Sequence, residues 1–310
     1  MRILITGIHG FVGSNLVSAL GDKFEIYGLD IVAPEKKGVV KTFSWDDLDN
    51  DRIPQVDAII HLAGKAHDVK NKSAADVYFK INTGLTQKIF DYFQKSEAKK
   101  FIFFSSVKAA ADFVPGDILT EDVPADPVGP YGESKIKAEE YINANDDHQK
   151  SVYILRPCMI HGPGNKGNLN LLYSVVKKGI PWPLGAFDNR RSFTSIDNLI
   201  YVIDGLLSKE VASGTYQMGD DDPLSTNELI GLICEGLNMK SRIWRLPKSL
   251  MTGVAKIGGA LRLPLNSERL TKLTENYVVS NKKIKDALGI DHMPVSSSDG
   301  ILKTIRSFAE

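Results

Sequence analysis

The segment ILITGIHGFVGSNLVSAL, residues 3–20, decides the fold of this chain. An apolar run leads into a loop with glycines at positions 7, 10 and 13, and the loop opens an amphipathic helix. A dinucleotide pyrophosphate needs this arrangement, because glycines permit a tight turn and a close backbone approach, and the helix N-terminus offers free amides to the anion. We therefore predict that Gly7, Gly10 and Gly13 form a dinucleotide-binding loop.

Short apolar runs alternate with helical patterns through the first half of the chain. Each is a mainly apolar run that ends in turn or polar residues, which is typical of buried strands. The runs lie at 2–7, 24–30, 56–64, 99–106 and 151–157. Buried strands that alternate with helices predict an α/β fold with a doubly wound parallel sheet of the Rossmann type.

The pattern of the sequence changes after about residue 160, where glycine and proline cluster in the segments 161–168 and 179–192. A strand-like GTYQMG and several helical patterns follow. We predict a dinucleotide-binding domain over 1–160 and a smaller α/β substrate lobe over 161–310, between which the chain can cross back.

The overall composition gives no support to several classes of function, although local basic sites such as Arg190–Arg191 remain possible. Among the 310 residues, 38 are Lys or Arg and 38 are Asp or Glu, so no global field favours nucleic acid or an anionic membrane. Cys158 and Cys234 have neither disulfide-framework nor metal-site spacing, and no apolar stretch approaches the length of a membrane span. We predict a cytoplasmic protein with no metal, nucleic acid or membrane partner.

Asp30 ends the second predicted strand, seventeen residues beyond Gly13. A carboxylate there can accept hydrogen bonds from both hydroxyls of an adenine ribose and would repel a 2′-phosphate, which favours NAD over NADP. Lys36 and Lys37 in the next loop could neutralise such a phosphate, but we interpret them as solvated. His61, at the end of the third predicted strand, is interpreted as structural, and the pair His67–Asp68 as ordinary loop residues.

Tyr131 precedes Lys135 by four residues in GPYGESKIKAEE, so the two share one face of a helix. Bringing a phenol from a pKa of about 10 to about 7 needs about 4 kcal/mol. A cation at about 4 Å in an effective dielectric of about 20 supplies a similar amount. The pair could thus act as an acid and base.

The same spacing recurs at Tyr173 and Lys177, so spacing alone does not choose between the pairs. Ser106 ends the strand 25 residues before Tyr131, and strand ends line the ligand crevice of a doubly wound sheet. Tyr173 has no such serine upstream, and its helix follows a glycine and proline loop. The context favours Tyr131.

Together these features resemble the extended short-chain dehydrogenase/reductases, within them the nucleotide-sugar epimerases, dehydratases and reductases typified by UDP-galactose 4-epimerase. The resemblance covers nearly the whole chain, and the motifs follow one another in the order that is typical of the family. It rests on TGIHGFVG, GLD, HLAG, Asn82, the serine pair 105–106, YGESK, LRPCMIHGPG and RRSFTSIDNL.

The resemblance implies a role for each matching residue. Ser106 would bind the sugar oxygen, Tyr131 would be the acid and base, and Lys135 would bind the nicotinamide ribose and lower the phenol pKa. The implied NAD contacts are Gly7, Gly10, Phe11, Val12, Gly13, Asp30, Leu62, Ala63, Gly64, Asn82 and Ser105, with Asp46 or Asp47 at the adenine. The implied contacts to a nucleoside diphosphate are Asn168, Leu169 and Arg191, whose guanidinium can fork across phosphate oxygens.

Departures from the family pattern restrict the reaction. Family dehydratases carry an Asp–Glu pair after the active-site hydroxyl residue, where this chain has Val107 and Lys108, so dehydration is not expected. Met159 replaces an asparagine that some epimerases use for the sugar. Within the family, the chain looks most like a bacterial subgroup from surface-polysaccharide pathways, which includes reductases that form UDP-N-acetylquinovosamine. This resemblance rests on the segments SSVK, GPGNKGN, GIPWPLG and NRRS.

The resulting hypothesis is hydride transfer at C4 of a UDP-hexose or UDP-N-acetylhexosamine, as a redox-neutral epimerase or as a 4-ketoreductase. The alternative is a dinucleotide-sensing protein of the same fold without catalysis. By analogy with the family, a homodimer is expected through the helices near residues 75–95 and 131–145.

Overall fold

The computed structural model describes residues 1–65, 74–260 and 266–308, and the predicted loop pair His67–Asp68 lies outside them. Within this part of the chain, seven parallel strands form one sheet in the order β3-β2-β1-β4-β5-β6-β9. A second sheet pairs β7 with β8, also in parallel. The strands are β1 Arg2–Thr6, β2 Glu25–Leu29, β3 Lys41–Phe43, β4 Ala58–His61, β5 Lys100–Phe104, β6 Ser151–Pro157, β7 Met159–His161, β8 Phe193–Ser195 and β9 Gly214–Met218.

The strand order reverses at β1, which lies between β2 and β4. In a doubly wound sheet, ligands bind beyond the carboxyl ends of the strands at this switch point. The five strands predicted from apolar runs are β1, β2, β4, β5 and β6, and the predicted parallel Rossmann sheet is confirmed. The sequence interpretation missed β3, β7 and β8, which have only three residues each.

Helices cover both faces of the large sheet. They are α1 Phe11–Leu20, α2 Trp45–Asp49, α3 Ala75–Tyr78, α4 Leu85–Lys95, α5 Val107–Ala110, α6 Pro130–Asn145, α7 Asn168–Lys177, α8 Ile196–Ser208, α9 Thr226–Gly236, α10 Lys248–Ala260, α11 Ser267–Thr274, α12 Lys282–Leu288 and α13 Ser297–Ser307. A π-helical turn, Phe79–Gly84, joins α3 to α4.

Alternate side chains of β1 enter two different cores. Ile3 and Ile5 pack in one apolar cluster with residues of α1 and α8, whereas Leu4 packs in another with residues of α4 and α6. Because both faces of the strand are buried, the strand is a continuous apolar run and not an alternating one. This burial holds the end of β1, and therefore the glycine loop, in a fixed place.

The chain returns to the large sheet after residue 160. Strand β9 pairs with β6 from Tyr153 opposite Gly214 to Pro157 opposite Met218, and α8 packs against α1. The small lobe holds the two-stranded sheet and the helices α7, α9, α10, α11 and α13. We therefore propose that the substrate lobe comprises β7, which begins just before the predicted boundary, and only parts of the predicted span 161–310.

Replacing Gly13 by alanine should destabilise the protein. A Cβ atom at Gly13 would lie 2.7 Å from the carbonyl oxygens of Gly7 and Ile8, which are backbone atoms that cannot move aside cheaply. Overpacking of this kind costs about 1–3 kcal/mol. Chemical denaturation should show that loss for Gly13→Ala.

Gly231 of α9 is the matched control, because nothing lies within 4 Å of a Cβ placed there. Gly231→Ala should raise the free energy of unfolding by about 0.5–1 kcal/mol, since it restricts the unfolded chain. Equal effects of the two substitutions would contradict the packing account.

Candidate active site

The glycine loop is closed against the end of β4. Gly7 has a positive φ of 68°, and a Cβ there would lie 2.9 Å from the backbone nitrogen of Ala63. Gly10 caps α1 without a side-chain hydrogen bond. The first amides of the helix, at Phe11 and Val12, are therefore left for an external anion, as a pyrophosphate requires.

Asp30 lies beside this loop at the end of β2. Its carboxylate accepts hydrogen bonds from the backbone nitrogens of His9 at 3.0 Å and Ile31 at 2.7 Å. These bonds hold the charge at the rim of the loop, where an adenine ribose would lie. This position fits the predicted preference for NAD over NADP.

Lys36 is not the solvated loop residue that the sequence suggested. Its Nζ donates to the Ser14 hydroxyl at 2.6 Å and to the carbonyl oxygen of Ile8 at 3.3 Å. Burial lowers the pKa of Lys36, while the nearby Asp30 charge acts in the opposite direction. Lys37 is exposed. A cation thus lies over the glycine loop, which adds favourable charge for a pyrophosphate.

Of the two candidate adenine contacts, Asp47 is already engaged. It forms a capping box with Ser44, whose backbone nitrogen donates to the Asp47 carboxylate at 2.9 Å, and it pairs with Arg52 at 3.3 Å. Asp46 is exposed in the first turn of the same helix. We therefore propose Asp46 as the adenine contact.

The segment 62–64 leads from β4 to the second half of the site. A Cβ at Gly64 would lie 3.0 Å from Oδ1 of Asn82 and 3.3 Å from Nζ of Lys135. The Asn82 amide donates to the Ser134 hydroxyl at 2.9 Å and its oxygen accepts from the backbone nitrogen of Lys65 at 2.7 Å. Asn82 therefore joins the π-helical turn, the 62–65 segment and α6.

His61 connects this assembly to β1 and has the structural role that the sequence suggested. The Thr86 hydroxyl donates to the Asn82 carbonyl oxygen at 2.6 Å, so it accepts from Nε2 of His61, 3.0 Å away. Nδ1 then accepts from the Thr6 hydroxyl at 2.7 Å, and that oxygen accepts from the amide of Ala63. Burial lowers the pKa of His61 to about 3, which keeps the ring neutral.

Ser106 and Tyr131 are brought together, as predicted. Ser106 caps the short helix α5, and its side chain is hydrogen-bonded to the Tyr131 phenol. The ring of Tyr78 meets the Tyr131 ring edge-on at a centroid distance of 6.3 Å. Burial and, to a smaller extent, Tyr78 raise the pKa of Tyr131, whereas the bond to Ser106 lowers it. The net shift is opposite to the one that the sequence predicted, because burial outweighs the other contributions.

Lys135 is 6% exposed, one turn further along α6. Its Nζ donates to the Phe104 carbonyl oxygen at 2.7 Å and lies 5.0 Å from the centroid of the Phe103 ring. Burial lowers the pKa of Lys135 to about 8, and the charge of Glu139 opposes that shift. An ammonium with this pKa can both carry charge and donate hydrogen bonds near neutral pH.

A buried ion pair beneath Lys135 was missed by the sequence interpretation. Glu139 is 1% exposed and lies four residues after Lys135 on α6. Arg156 of β6 donates to it from Nε at 3.0 and 3.1 Å and from Nη2 at 2.5 Å. The Ser105 hydroxyl also donates to Glu139. The signal in the sequence was a carboxylate at the next helical turn and an arginine inside an apolar strand.

The predicted diphosphate residues lie in the small lobe. Asn168 and Leu169 begin α7, whose N-cap Gly167 makes no side-chain hydrogen bond, and the Leu169 side chain is buried. Any ligand contact at Leu169 would therefore use its backbone amide. Arg191 is partly exposed, and its guanidinium donates to the Lys272 carbonyl oxygen at 2.7 Å and lies 3.6 Å from the Glu275 carboxylate.

The second tyrosine and lysine pair has a packing role. Tyr173 is 6% exposed in the core of the small lobe, where its ring meets Phe308 edge-on, and its hydroxyl has no hydrogen-bond partner among the described residues. Lys177 lies 5.6 Å from the centroid of that ring. The choice of Tyr131 from sequence context fits this placement.

The fold and the site define a dinucleotide-binding α/β enzyme with a Ser, Tyr and Lys constellation. The chain belongs to the NAD dependent epimerase/dehydratase family, whose sequence profile matches residues 3–219. NAD, the predicted cofactor, is the one that the family description names, and the glycine cradle and uncapped α1 fit it.

Two curated relatives extend over most of the chain. The chain is 30% identical to a UDP-glucose 4-epimerase of Vibrio cholerae, with 99% of this chain and 95% of the relative covered. It is 29% identical to an N-acetyl-α-D-glucosaminyl-diphospho-ditrans,octacis-undecaprenol 4-epimerase of Escherichia coli O157:H7, with 92% and 84% covered. In structure it is similar to the UDP-glucuronic acid 4-epimerase of Bacillus cereus, solved with NAD, at a TM-score of 0.76, 19% identity and coverage of 100% and 99%.

Metal-binding clusters and membrane-spanning helices are both absent from the part of the chain that the structure describes. No cluster of three or more His, Cys, Asp or Glu side chains that could hold a metal ion occurs among the described residues. In the same part of the chain, no helix has the length and apolar character needed to span a bilayer.

The lowered pKa of Lys135 predicts a pH effect on stability in the absence of cofactor. The unfolded chain binds this proton with a pKa of 10.5 and the folded chain with one of about 8, so stability rises with pH between those values and is flat below about 8. Lys135→Met removes this contribution. The free energy of unfolding of the wild type relative to Lys135→Met should therefore rise by about 2 kcal/mol from pH 7 to pH 9.5, at about 1.4 kcal/mol per unit. A constant difference would contradict the buried, destabilised ammonium.

Asp30→Ala should weaken NAD binding and reduce discrimination against NADP, because it removes the acceptor for the ribose hydroxyls. Loss of a hydrogen bond to a charged group costs about 1.5–3 kcal/mol, so NAD affinity should fall on the order of 10- to 100-fold. Titration calorimetry with both dinucleotides measures this change. Asp22→Ala, at an exposed aspartate in the same domain, is the control, and unchanged selectivity in Asp30→Ala would place the ribose elsewhere.

Proposed function

We propose that the protein is a 4-epimerase of UDP-hexoses or UDP-N-acetylhexosamines, acting in the synthesis of surface-polysaccharide precursors. The observation that carries the proposal is the hydrogen-bonded Ser106 and Tyr131, with a buried Lys135 one helical turn further along α6, beyond the carboxyl end of β5 in a Rossmann sheet. Membership of the epimerase family and the names of the two curated relatives support it.

Tyr131 acts as the base and acid in this reaction. Bound NAD would supply the acceptor for the C4 hydride, and epimerisation requires that this hydride return to the opposite face of the 4-keto sugar after the sugar has turned over in the site. Tyr131 takes the proton of the 4-hydroxyl and later gives it back, and Ser106 holds the same sugar oxygen by a hydrogen bond. Both steps are favoured by a phenol that is partly shielded from bulk water, and the partial burial of Tyr131 supports such a site.

Lys135 supplies the charge that makes the phenolate accessible. Its ammonium would oppose the effect of burial on the Tyr131 pKa and would donate hydrogen bonds to the nicotinamide ribose of bound NAD. Glu139 and Arg156 act as positioning residues, because their buried pair fixes the next turn of α6 against β6. Asn82 fixes the opposite side through Ser134.

The diphosphate of the substrate would lie between α7 and Arg191. Free amides at the uncapped start of α7 attract an anion, and the Arg191 guanidinium can bind two phosphate oxygens at once. The carbonyl oxygen of Lys272 and the carboxylate of Glu275 orient that guanidinium in the present structure. Burial raises the pKa of Glu275, whereas the charge of Arg191 acts to lower it.

Dehydration is not proposed, because the residues after Ser106 are not placed to act as acid and base. Val107 is buried in an apolar cluster, and Lys108 donates to the Asp112 carboxylate at 2.9 Å. Reduction of a 4-keto sugar would use the same Ser106, Tyr131 and Lys135, and it differs only in net consumption of reduced cofactor.

The two curated relatives differ, by their names, in the group to which the sugar is attached. The Escherichia coli relative acts, by its name, on a sugar diphosphate attached to a polyprenol, whereas the Vibrio cholerae relative acts on glucose attached to UDP. We propose the sugar diphosphate as the recognised feature and UDP-hexoses as the first substrates to test.

The proposal extends to the location and the oligomeric state of the protein. A cytoplasmic location is supported by two buried, unpaired cysteines, Cys158 and Cys234, which suit a reducing compartment. A homodimer through the helices near residues 75–95 and 131–145 is supported by family analogy alone, and light scattering after size exclusion would test it. A catalytically silent dinucleotide sensor is not supported, since the site retains all three catalytic groups.

Tyr131→Phe should abolish epimerisation while leaving NAD binding within a few-fold, because only the proton-transfer group is lost. General acid and base catalysis contributes about 10²–10⁴-fold, so the rate should fall at least that far. Product formation is measured by chromatography of UDP-glucose and UDP-galactose, and of their N-acetylated counterparts.

Tyr173→Phe is the matched control, because it removes a buried hydroxyl without a hydrogen-bond partner from an otherwise identical spacing. It should retain full activity and equal or greater stability. Full activity of Tyr131→Phe would remove the proposed mechanism, and tight NAD binding with no turnover of any sugar diphosphate by the wild type would restore the sensor alternative.

A further inference from the structure

Helix α10 has apolar residues on two faces. Met251 and Ala255 are buried in a cluster with Leu184 and Leu270, which attaches the helix to the small lobe. On another face, Leu250, Val254 and Ile257 follow one another at intervals of four and three residues, so they form one stripe. Their exposed fractions are 52%, 43% and 61%.

Trp244 adds a fourth exposed apolar side chain near the start of this helix, with 56% of its surface accessible. The backbone around it is held in place, because its amide and carbonyl groups pair with Trp182 and Gly185. Its neighbour Ile243 packs against Gly185 and the core of the lobe. The indole is therefore exposed on a rigid segment.

The same segment is strongly basic in a chain whose net charge is zero. No acidic residue occurs between Glu235 and Glu268. The basic side chains that the structure describes there are all exposed, namely Lys240, Arg242, Arg245, Lys248 and Lys256. Ion pairs described in this lobe use other basic residues, such as Arg190 and Lys272. The balanced overall composition therefore conceals a local positive surface.

We propose that this segment, with exposed Trp244, the α10 stripe and five exposed basic residues between positions 240 and 256, docks the protein on a bilayer that carries anionic lipid. A basic helix with exposed Leu, Val, Ile and Trp side chains has the composition of an interfacial segment. The apolar side chains enter the headgroup region, and the basic side chains meet the lipid phosphates. With 13 residues, α10 is too short to span the membrane, so the contact is peripheral.

A bilayer fits this surface better than a second copy of the chain. In a two-fold symmetric dimer the same patch meets itself, so five basic side chains would face five others. An anionic membrane supplies both the opposite charge and an apolar layer. The contact would also hold the substrate lobe at the membrane, because α10 packs on α11, and the Lys272 carbonyl of α11 bonds Arg191.

Vesicle flotation with the full-length protein tests the proposal. The wild type should bind vesicles of phosphatidylcholine and phosphatidylglycerol and bind vesicles of phosphatidylcholine alone at least about 10-fold more weakly. Combined Leu250→Ser, Val254→Ser and Ile257→Ser should reduce binding on the order of 100-fold, since it removes the inserted apolar surface. Combined Arg242→Gln, Arg245→Gln and Lys256→Gln should reduce it about five-fold for each charge removed.

The control is the triple substitution Ile31→Ser, Val32→Ser and Val40→Ser, which removes exposed apolar side chains of the large domain. It should leave vesicle binding unchanged, and circular dichroism should show every variant folded. The proposal would be overturned if the wild type failed to float with anionic vesicles. It would also be overturned if the three serine substitutions in α10 left flotation unchanged, because binding would then depend on charge alone. A dimer in the absence of lipid that the α10 serines dissociate would assign the surface to a second copy.

This inference is independent of the proposed reaction. The α10 substitutions lie outside the Ser106, Tyr131 and Lys135 site, so they should leave NAD affinity and turnover of soluble UDP-sugars unchanged. Failure of membrane binding would therefore leave the epimerase proposal intact.

Discussion

The buried ammonium of Lys135 is the interaction on which the site depends. A cation that is 6% exposed is tolerated only where acceptors and opposite charge compensate for lost hydration. Here the Phe104 carbonyl oxygen, the Phe103 ring and the Glu139 carboxylate provide that compensation. Glu139 can be buried in turn because Arg156 binds it through two nitrogens.

The sheet explains why these groups meet. Phe103, Phe104 and Ser106 lie at the end of β5, and Arg156 lies on the adjacent β6. Helix α6 contacts both strands, through Lys135 to the Phe104 carbonyl oxygen and through Glu139 to Arg156. The other half of the site follows from β1 and β4, whose ends are joined by Thr6 and His61. Neutral His61 also reaches Asn82 through Thr86, so the glycine loop and the catalytic helix share one hydrogen-bonded framework.

The sequence predicted the parts of this arrangement that depend on local patterns. The glycine loop, the end of β2 at Asp30 and the Tyr131 and Lys135 spacing each occupy one short segment, and the apolar runs predicted five of the seven large-sheet strands. Strand β3 was not predicted, because a strand of three residues is too short to show a periodic pattern. The pairing of β9 with β6 joins segments about 60 residues apart, which no local pattern records.

Long-range side-chain pairs were also beyond local patterns. Neither the burial of Glu139 nor its pairing with Arg156 is visible in α6 alone, and the position of Lys36 over the glycine loop depends on how the 31–40 loop folds back. The direction of the Tyr131 pKa shift was mispredicted for a related reason, since spacing reports a nearby charge but not the extent of burial. The α10 surface was hidden because the two signs of charge balance over the whole chain.

The most direct test of the account follows the hydrogen at C4. The enzyme with NAD would be incubated in ordinary water with UDP-hexose deuterated at C4, and both epimers would be analysed by mass spectrometry and NMR. If Tyr131 moves only the hydroxyl proton while the C4 hydride leaves and returns within one closed site, the product keeps deuterium at C4 and no reduced cofactor accumulates or is consumed. Loss of deuterium to solvent, or stoichiometric turnover of the cofactor, would contradict redox-neutral epimerisation at C4.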